Sequence, residues 1–324
     1  MAPLISILIT GLLLVGINAT GKINTIFSVI QVIALFAIAI ISIASNPAGP
    51  FLQSDFLPNG WTGVFAATAL IAFGQMQVEA VLTLGEEAKN PRRNLPLAQV
   101  SALVTVVILY CLTGYGVVSA ADITALAESK APLSLAVETV LPGLGAILIA
   151  IAALTATGTS TIGCLLGSSR MLFAAARENA VPAVFGKISS KTKVPVYATV
   201  FTGIIALGAT LMSTFGYGKA ISIAVGAAVF SNWLMMGLMN IALIVVRVMR
   251  PDIKAEFRFP LNIKNIPVLA VVAAIASFWI LTYIETIPLL IGIGWIILIT
   301  FWYYLYSRKR WNYLDEEDLN RLTE

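Results

Sequence analysis

Long apolar stretches alternate with short polar connectors along the whole chain. Leu97–Ala120, Pro142–Ser169, Val194–Gly218, Ala220–Val246, Ile266–Ile284 and Thr286–Ser307 contain no Asp, Glu, Lys or Arg. Ile23–Ala44 and the shorter Leu4–Ile17 are equally free of charge, and Trp61–Gly85 is charged only at Glu79. Roughly 20 apolar helical residues cross about 30 Å of hydrocarbon, so the pattern predicts nine membrane spans. A helix satisfies its own backbone hydrogen bonds in lipid. The ten-residue alternation of a transmembrane barrel is missing from the sequence. The expected fold class is therefore all-α, a polytopic membrane helix bundle.

Composition agrees with the pattern. Of 324 residues, 59% are hydrophobic and 11% charged, against about 45–50% apolar in soluble domains. The net charge of +4 is explained by where the cations sit, so nucleic acid is not an expected partner. All basic residues except Lys130 and Lys219 lie in alternate connectors, at their edges, or in the C-terminal tail. Lys and Arg collect in cytoplasmic loops, so the C-terminus is expected inside the cell and the N-terminus outside, in a multi-pass protein of the cell membrane. The first stretch lacks the basic flank and cleavage site of a signal peptide. An outside N-terminus without a leader raises the expectation that earlier spans are absent from this chain.

The chemistry of the chain argues against an enzyme. With no histidine, Ser-His-Asp, Cys-His and histidine-ligated metal sites are excluded within it. Cys111 and Cys164 fall inside apolar stretches and read as small packing residues. No phosphate-binding or dinucleotide-binding glycine motif is present, and no catalytic residue, cofactor or metal is expected.

One segment breaks the apolar pattern. "FGQMQVEAVLTLGEEAKNPRRNLPLA" starts at Phe73, turns polar at Gln75, Gln77 and Glu79, and ends in a block of charge from Glu86 to Arg93. The residue before a proline disfavours helix, so the chain should turn at Asn90-Pro91, with the next helix starting near Asn94 and Pro96. This segment resembles the sixth-helix signature of the amino acid–polyamine–organocation permeases, an aromatic-Gly-acid pattern followed by Glu-Glu-x-Lys-Asn-Pro-x-Arg-x-x-Pro. Glu79-Ala80, Glu86-Glu87, Lys89-Asn90-Pro91, Arg93 and Pro96 match it. "GINATGKINTIFSVIQVIALF", "SSRMLFAAARENAVP", "KVPVYATV" and "RVMRPDIKAEFRFPL" resemble further pieces of the same family in the same order.

The resemblance implies a leucine-transporter-like fold of two inverted five-helix repeats plus two helices. The nine spans would correspond to family helices 4–12, with the first three lacking. Residues 1–307 would form the permease domain: 1–44 the end of the first repeat, 61–246 the second repeat, 266–307 the two additional helices. Residues 308–324 would be a cytoplasmic tail with no site of their own.

In carriers of this architecture the first and sixth helices are unwound near the midplane, where free peptide groups meet substrate. The resemblance places that break at Phe73, Gly74, Gln75, Met76, Gln77 and Glu79, the expected substrate-binding residues; an unbroken helix whose glutamines bond to neighbours is the competing reading. Two positions depart from the family: Gln77 stands where glycine is usual before the acid, and Gln75 where an aromatic residue is usual.

Gln31 occupies the place of a lysine found in proton-coupled relatives. Glutamine cannot titrate, so coupling through that lysine is not expected. A coupling-ion site involving Gln31, Thr157, Thr159 and Ser160 competes with plain helix–helix hydrogen bonding and back-bonding. Gly163 and Gly167 fit a small-residue packing face. Arg170 and Arg177, seven apart, either snorkel or pair with Glu86 and Glu87 as a cytoplasmic gate. Asn232 and Asn240 read as interhelical contacts. Ala120–Val140 reads as an outer loop holding a short helix and a lid.

The function this resemblance implies is a secondary active transporter moving an amino acid or related amine by alternating access, with a coupling ion and the lipid bilayer as further partners. The alternative is a truncated or split-permease fragment without transport of its own, whose missing helices would be a separate chain.

Overall fold

The computed structural model describes residues 2–46, 59–73, 85, 88–129, 131–250, 261–263 and 265–310. The predicted substrate residues Gly74, Gln75, Met76, Gln77 and Glu79, and the predicted gate residues Glu86 and Glu87, lie outside the described residues. The rest is helical almost throughout. In chain order the helices are α1 (Ala2–Val15), α2 (Ile17–Ser45), α3 (Gly60–Phe73), α4 (Pro91–Ala120), α5 (Ile123–Glu128), α6 (Pro132–Val140), α7 (Leu144–Arg177), α8 (Val196–Thr214), α9 (Gly218–Met249), α10 (Val268–Leu281) and α11 (Thr286–Trp302). A 3₁₀ turn, Ala183–Gly186, follows α7, and a π-turn, Tyr303–Ser307, continues α11. A short antiparallel pair of strands, Asn262–Ile263 and Ile266–Pro267, precedes α10.

Six helical segments are long and apolar enough to cross a bilayer: 19–45 and 286–307, together with α4, α7, α8 and α9. The apolar helices at 3–15 and 268–281 are shorter than a crossing. Large apolar side chains such as Ile7, Leu8, Ile33, Ile40, Ile204 and Ile275 stand more than half exposed, as lipid-facing residues must when the solvent is hydrocarbon. These lengths and this surface make the chain a multi-pass membrane protein.

The helix that follows Asn90 starts earlier than expected. Asn90 takes the left-handed conformation at φ 47°, and α4 begins at Pro91, where proline's fixed φ suits a first helical position. Asn94 is already inside the helix, its Nδ2 donating to the carbonyl of Lys89 at 2.6 Å. Pro96 is accommodated within the helix.

Packing relies on small residues at close approaches. α2 lies between α4 and α7, α1 packs on α8 and α7, and α9 carries α10 and α11. A Cβ on Gly116 of α4 would sit 3.1 Å from the Ala39 carbonyl oxygen of α2. One on Gly237 of α9 would meet the Phe278 ring of α10 at 2.9 Å. Ile9 and Leu13 of α1 bury against Ile162 and Leu165 of α7. Phe65 of α3 meets Trp279 of α10 edge-on, with centroids 5.9 Å apart.

Candidate functional site

Three polar positions of α2 share one helical face: Thr20, Asn24 and Gln31 follow a 4–7 spacing that puts them under one another. That face runs along α7, which is antiparallel to it. At one end Thr159 Oγ1 of α7 donates to Gln31 Oε1 at 3.3 Å. Next, Phe27 lies where a Cβ on Gly158 would be 3.2 Å from its ring. Two of the predicted ion-site residues, Gln31 and Thr159, are thus brought together across the α2–α7 interface.

Their two companions are not. Thr157 is exposed and its hydroxyl donates back to Ala153 O at 2.7 Å; Ser160 is also exposed. At 100° per residue, Thr157 and Ser160 fall off the Gly158–Thr159 strip that faces α2. Thr159 itself shares its single hydroxyl proton with Ala156 O at 3.0 Å. Thr155 is buried and back-bonded to Ile151 O at 2.8 Å. Most hydroxyls of "LTATGTSTIG" therefore satisfy their own helix.

At the other end of the seam a void of about 10 Å³ is lined by Thr20, Ser169, Arg170 and Thr199, with Leu13, Leu166, Val194 and Pro195. That is about the volume of one water probe. Thr20 and Thr199 are each 1% exposed. Their hydroxyls donate to Gly16 O and Pro195 O, both at 3.0 Å. Arg170 and Arg177 share a helix face by spacing but not an environment. Arg170 is half-buried beside the void, whereas Arg177 is exposed, its guanidinium 5.7 Å from the Phe173 ring centroid.

Sequence reasoning missed a larger hollow. Ser168 and Met171 of α7, Ser231, Asn232 and Met235 of α9, and Ile291 and Trp295 of α11 surround an open cavity of about 720 Å³, within the range of small-molecule pockets. Asn232, expected as an interhelical contact, lines this hollow. The signal was present in "GAAVFSNW": small residues followed by two adjacent polar ones within an apolar span. Asn240, also expected between helices, instead turns its Nδ2 back to Met236 O at 2.8 Å. Gly163 meets no side chain of a described residue, so its half of the predicted packing face carries no close contact.

Phe73, the first of the residues expected to hold substrate, is the last described residue of α3; the others lie outside the described residues. Among the described residues no His, Cys, Asp and Glu cluster could hold a metal ion.

A family model described as "Amino acid permease" matches residues 1–306. The chain is 28% identical over 316 residues to the methylthioribose transporter of Bacillus subtilis, covering 95% of this chain and 64% of that protein. It is 28% identical over 302 residues to the branched-chain amino acid permease of the same organism, covering 93% and 62%. It is 31% identical over 209 residues to the vacuolar cationic amino acid transporter 4 of Arabidopsis thaliana, covering 63% and 35%. The chain therefore spans less than two thirds of the length of these relatives.

Proposed function

This chain belongs to the amino acid permease family, and on that premise we propose that it is a secondary transporter moving an amino acid or related amine by alternating access. The observation that carries the proposal is the family match across residues 1–306. The substrate seat is Phe73, Gly74, Gln75, Met76, Gln77 and Glu79, with the helix unwound so that peptide groups face a cavity. A glutamate in such a span costs a few kcal/mol unless paired, hydrated or protonated, and an amine offers it a partner. Gln31 and Thr159, 3.3 Å apart, are the best-supported part of a coupling-ion site. Arg170 and Arg177 serve as the basic half of a cytoplasmic gate with Glu86 and Glu87.

The proposed topology has nine spans, an outside N-terminus and a cytoplasmic C-terminus. Residues 1–44 and 61–246 belong to two inverted repeats, and 266–307 form two added helices. The substrate class stays broad, because the relatives are named for methylthioribose, branched-chain amino acids and cationic amino acids.

The test is exchange by the purified full chain in proteoliposomes, using labelled amino acids of each charge class and methylthioribose. Saturable exchange of at least one amine is expected, along with a raised melting temperature in its presence. Glu79→Gln should cut exchange by at least about tenfold if the carboxylate pairs with the amine. Neither exchange nor a thermal shift with any amine would defeat the proposal. Exchange seen only when the first three family helices are supplied as a separate chain would favour the fragment reading.

A further inference from the structure

Among the described residues, α11 alone runs on into a π-turn. Seventeen uncharged residues, Thr286–Trp302, lead into the π-turn Tyr303–Ser307, and the chain then presents Arg308, Lys309 and Arg310, all exposed. The backbone N–H of Arg308 closes the π-turn on Tyr303 O at 2.7 Å. The turn is clipped to the end of α7: Ser307 Oγ donates to Ala180 O at 2.7 Å and Trp302 Nε1 to the same oxygen at 3.1 Å. Ser307 is 2% exposed. The start of the basic run is therefore tied to the end of α7.

The arginines lie on aromatic rings. The Arg310 guanidinium is 4.5 Å from the Tyr306 centroid, and Tyr306 stacks on Trp302 at 5.0 Å and 26°. The Arg308 guanidinium is 5.6 Å from the Tyr304 centroid. A guanidinium resting on a ring keeps its in-plane N–H donors, the geometry that matches phosphate oxygens. Among the described residues no carboxylate pairs with Arg308, Lys309 or Arg310. On the membrane side of these cations, Phe301 and Leu305 are more than 60% exposed. Acyl-facing side chains, an aromatic belt and fixed cations thus follow one another along the helix axis, the order in which a phospholipid presents its tails, interface and phosphate.

We propose that the Arg308–Arg310 turn, on its Trp302–Tyr306 platform, binds the phosphate of an anionic phospholipid, with Phe301 and Leu305 against its acyl chains. The π-turn orients the site, and the bond to Ala180 links lipid occupancy to the end of α7. The site does not depend on what the protein transports.

The test counts lipids bound to the intact full chain by native mass spectrometry. The protein is titrated with phosphatidylglycerol or with phosphatidylcholine of the same acyl chains. Wild type should prefer phosphatidylglycerol by at least about fivefold, the effect of roughly one surface cation, and the preference should shrink as salt is raised. R308Q/K309Q/R310Q should bring the preference close to one. K22Q/K191Q/K193Q, which removes the same charge from exposed sites elsewhere, should keep it. R308K/R310K leaves the charge but removes the planar donors, and should retain only part of the preference; it also guards against misfolding of the triple variant. Excess inorganic phosphate should not displace the lipid. Equal binding of the two lipids, as would follow if Asp315–Asp318 neutralised the run, overturns the proposal. So does equal loss in the control variant, or displacement by free phosphate, which would make this an anion site without a lipid.

Discussion

At the residue scale, the Gln31–Thr159 contact separates two kinds of role. Thr159 has one hydroxyl proton and two acceptors, Gln31 Oε1 at 3.3 Å and Ala156 O at 3.0 Å. The interhelical bond competes with a shorter one inside its own helix, so its net worth falls at the low end of such bonds, about 0.6 kcal/mol on average in membranes. A double-mutant cycle with Gln31→Leu and Thr159→Val should give a coupling below about 1 kcal/mol in unfolding free energy. If the pair also holds a coupling ion, Gln31→Leu will abolish the ion dependence of exchange while melting changes little. A coupling well above that bound, with ion dependence intact, would make the pair purely structural. Asp122 offers a second residue-level test. Its carboxylate accepts the Thr124 hydroxyl and the backbone N–H groups of Thr124 and Ala125, at 3.1 and 3.3 Å. The Thr124 side chain is the largest cause, followed by the Ala125 amide, and together they hold its pKa below the usual carboxylate value. A group with a depressed folded pKa stabilises above its unfolded pKa, and that contribution is lost as pH falls through the folded value. The protection of the Thr124 and Ala125 amides, taken as the exchange rate relative to an unstructured peptide at the same pH, should therefore hold near neutrality and fall only on acidification below about pH 4. Asp122→Asn, which keeps an accepting oxygen but no charge, should remove most of the pH dependence.

At the element scale, the connector that carries α5 and α6 is more tightly seated than a loop. Ala136 and Val137 of α6 are buried to within 2%. A Cβ on Gly145 would come within 2.9 Å of the Val137 carbonyl oxygen and 3.0 Å of its Cγ1. Backbone cannot swing aside as a side-chain tip can, so Gly145→Ala should lower stability by about 1–3 kcal/mol, read as a lower melting temperature. Gly163→Ala, where no described atom lies within 4 Å, should be neutral or stabilise by up to about 1 kcal/mol through reduced chain entropy. A similar loss at both sites would refute the packing described for α6 on α7. The existence of the long helices was legible because uncharged runs longer than 20 residues have few alternatives. Their faces were not. Lipid-facing and helix-facing residues are equally apolar, so the sequence of α4 does not distinguish Gly116, which touches α2, from Gly114, which touches nothing described. The start of α4 was also misjudged. Asn90 takes a left-handed turn that frees Pro91 to begin the helix, a choice open mainly to Asn and Gly and invisible to a rule written for extended residues. Asn232, which lines the cavity, resembled a packing group because nothing in a single helix says which neighbour is missing beside it.

At the scale of the whole molecule, charge placement and helix packing constrain the same arrangement from different sides. The cation-bearing ends of α7 and α11 are joined where Trp302 and Ser307 bond to Ala180. Arg177 is three residues from that carbonyl, and Arg308–Arg310 follow Ser307 directly. The structure therefore requires these two helix ends to share one membrane surface, a condition the loop-charge pattern also satisfies. If that surface is cytoplasmic, the α5–α6 connector at the other end of α7 must lie outside, because α7 runs 34 residues without interruption, about 50 Å at 1.5 Å per residue. That exceeds the hydrocarbon thickness and leaves no room for both ends on one side. Single cysteines can decide the orientation in a background where Cys111 and Cys164 are replaced by alanine. Ala127→Cys, exposed on α5, should react with a membrane-impermeant maleimide in intact cells. Ser190→Cys, exposed in the connector after α7, should react only after permeabilisation. The reverse result would invert the topology and turn the Arg308–Arg310 run toward the outer leaflet, while labelling of both in intact cells would break the single crossing of α7 on which the bundle is built.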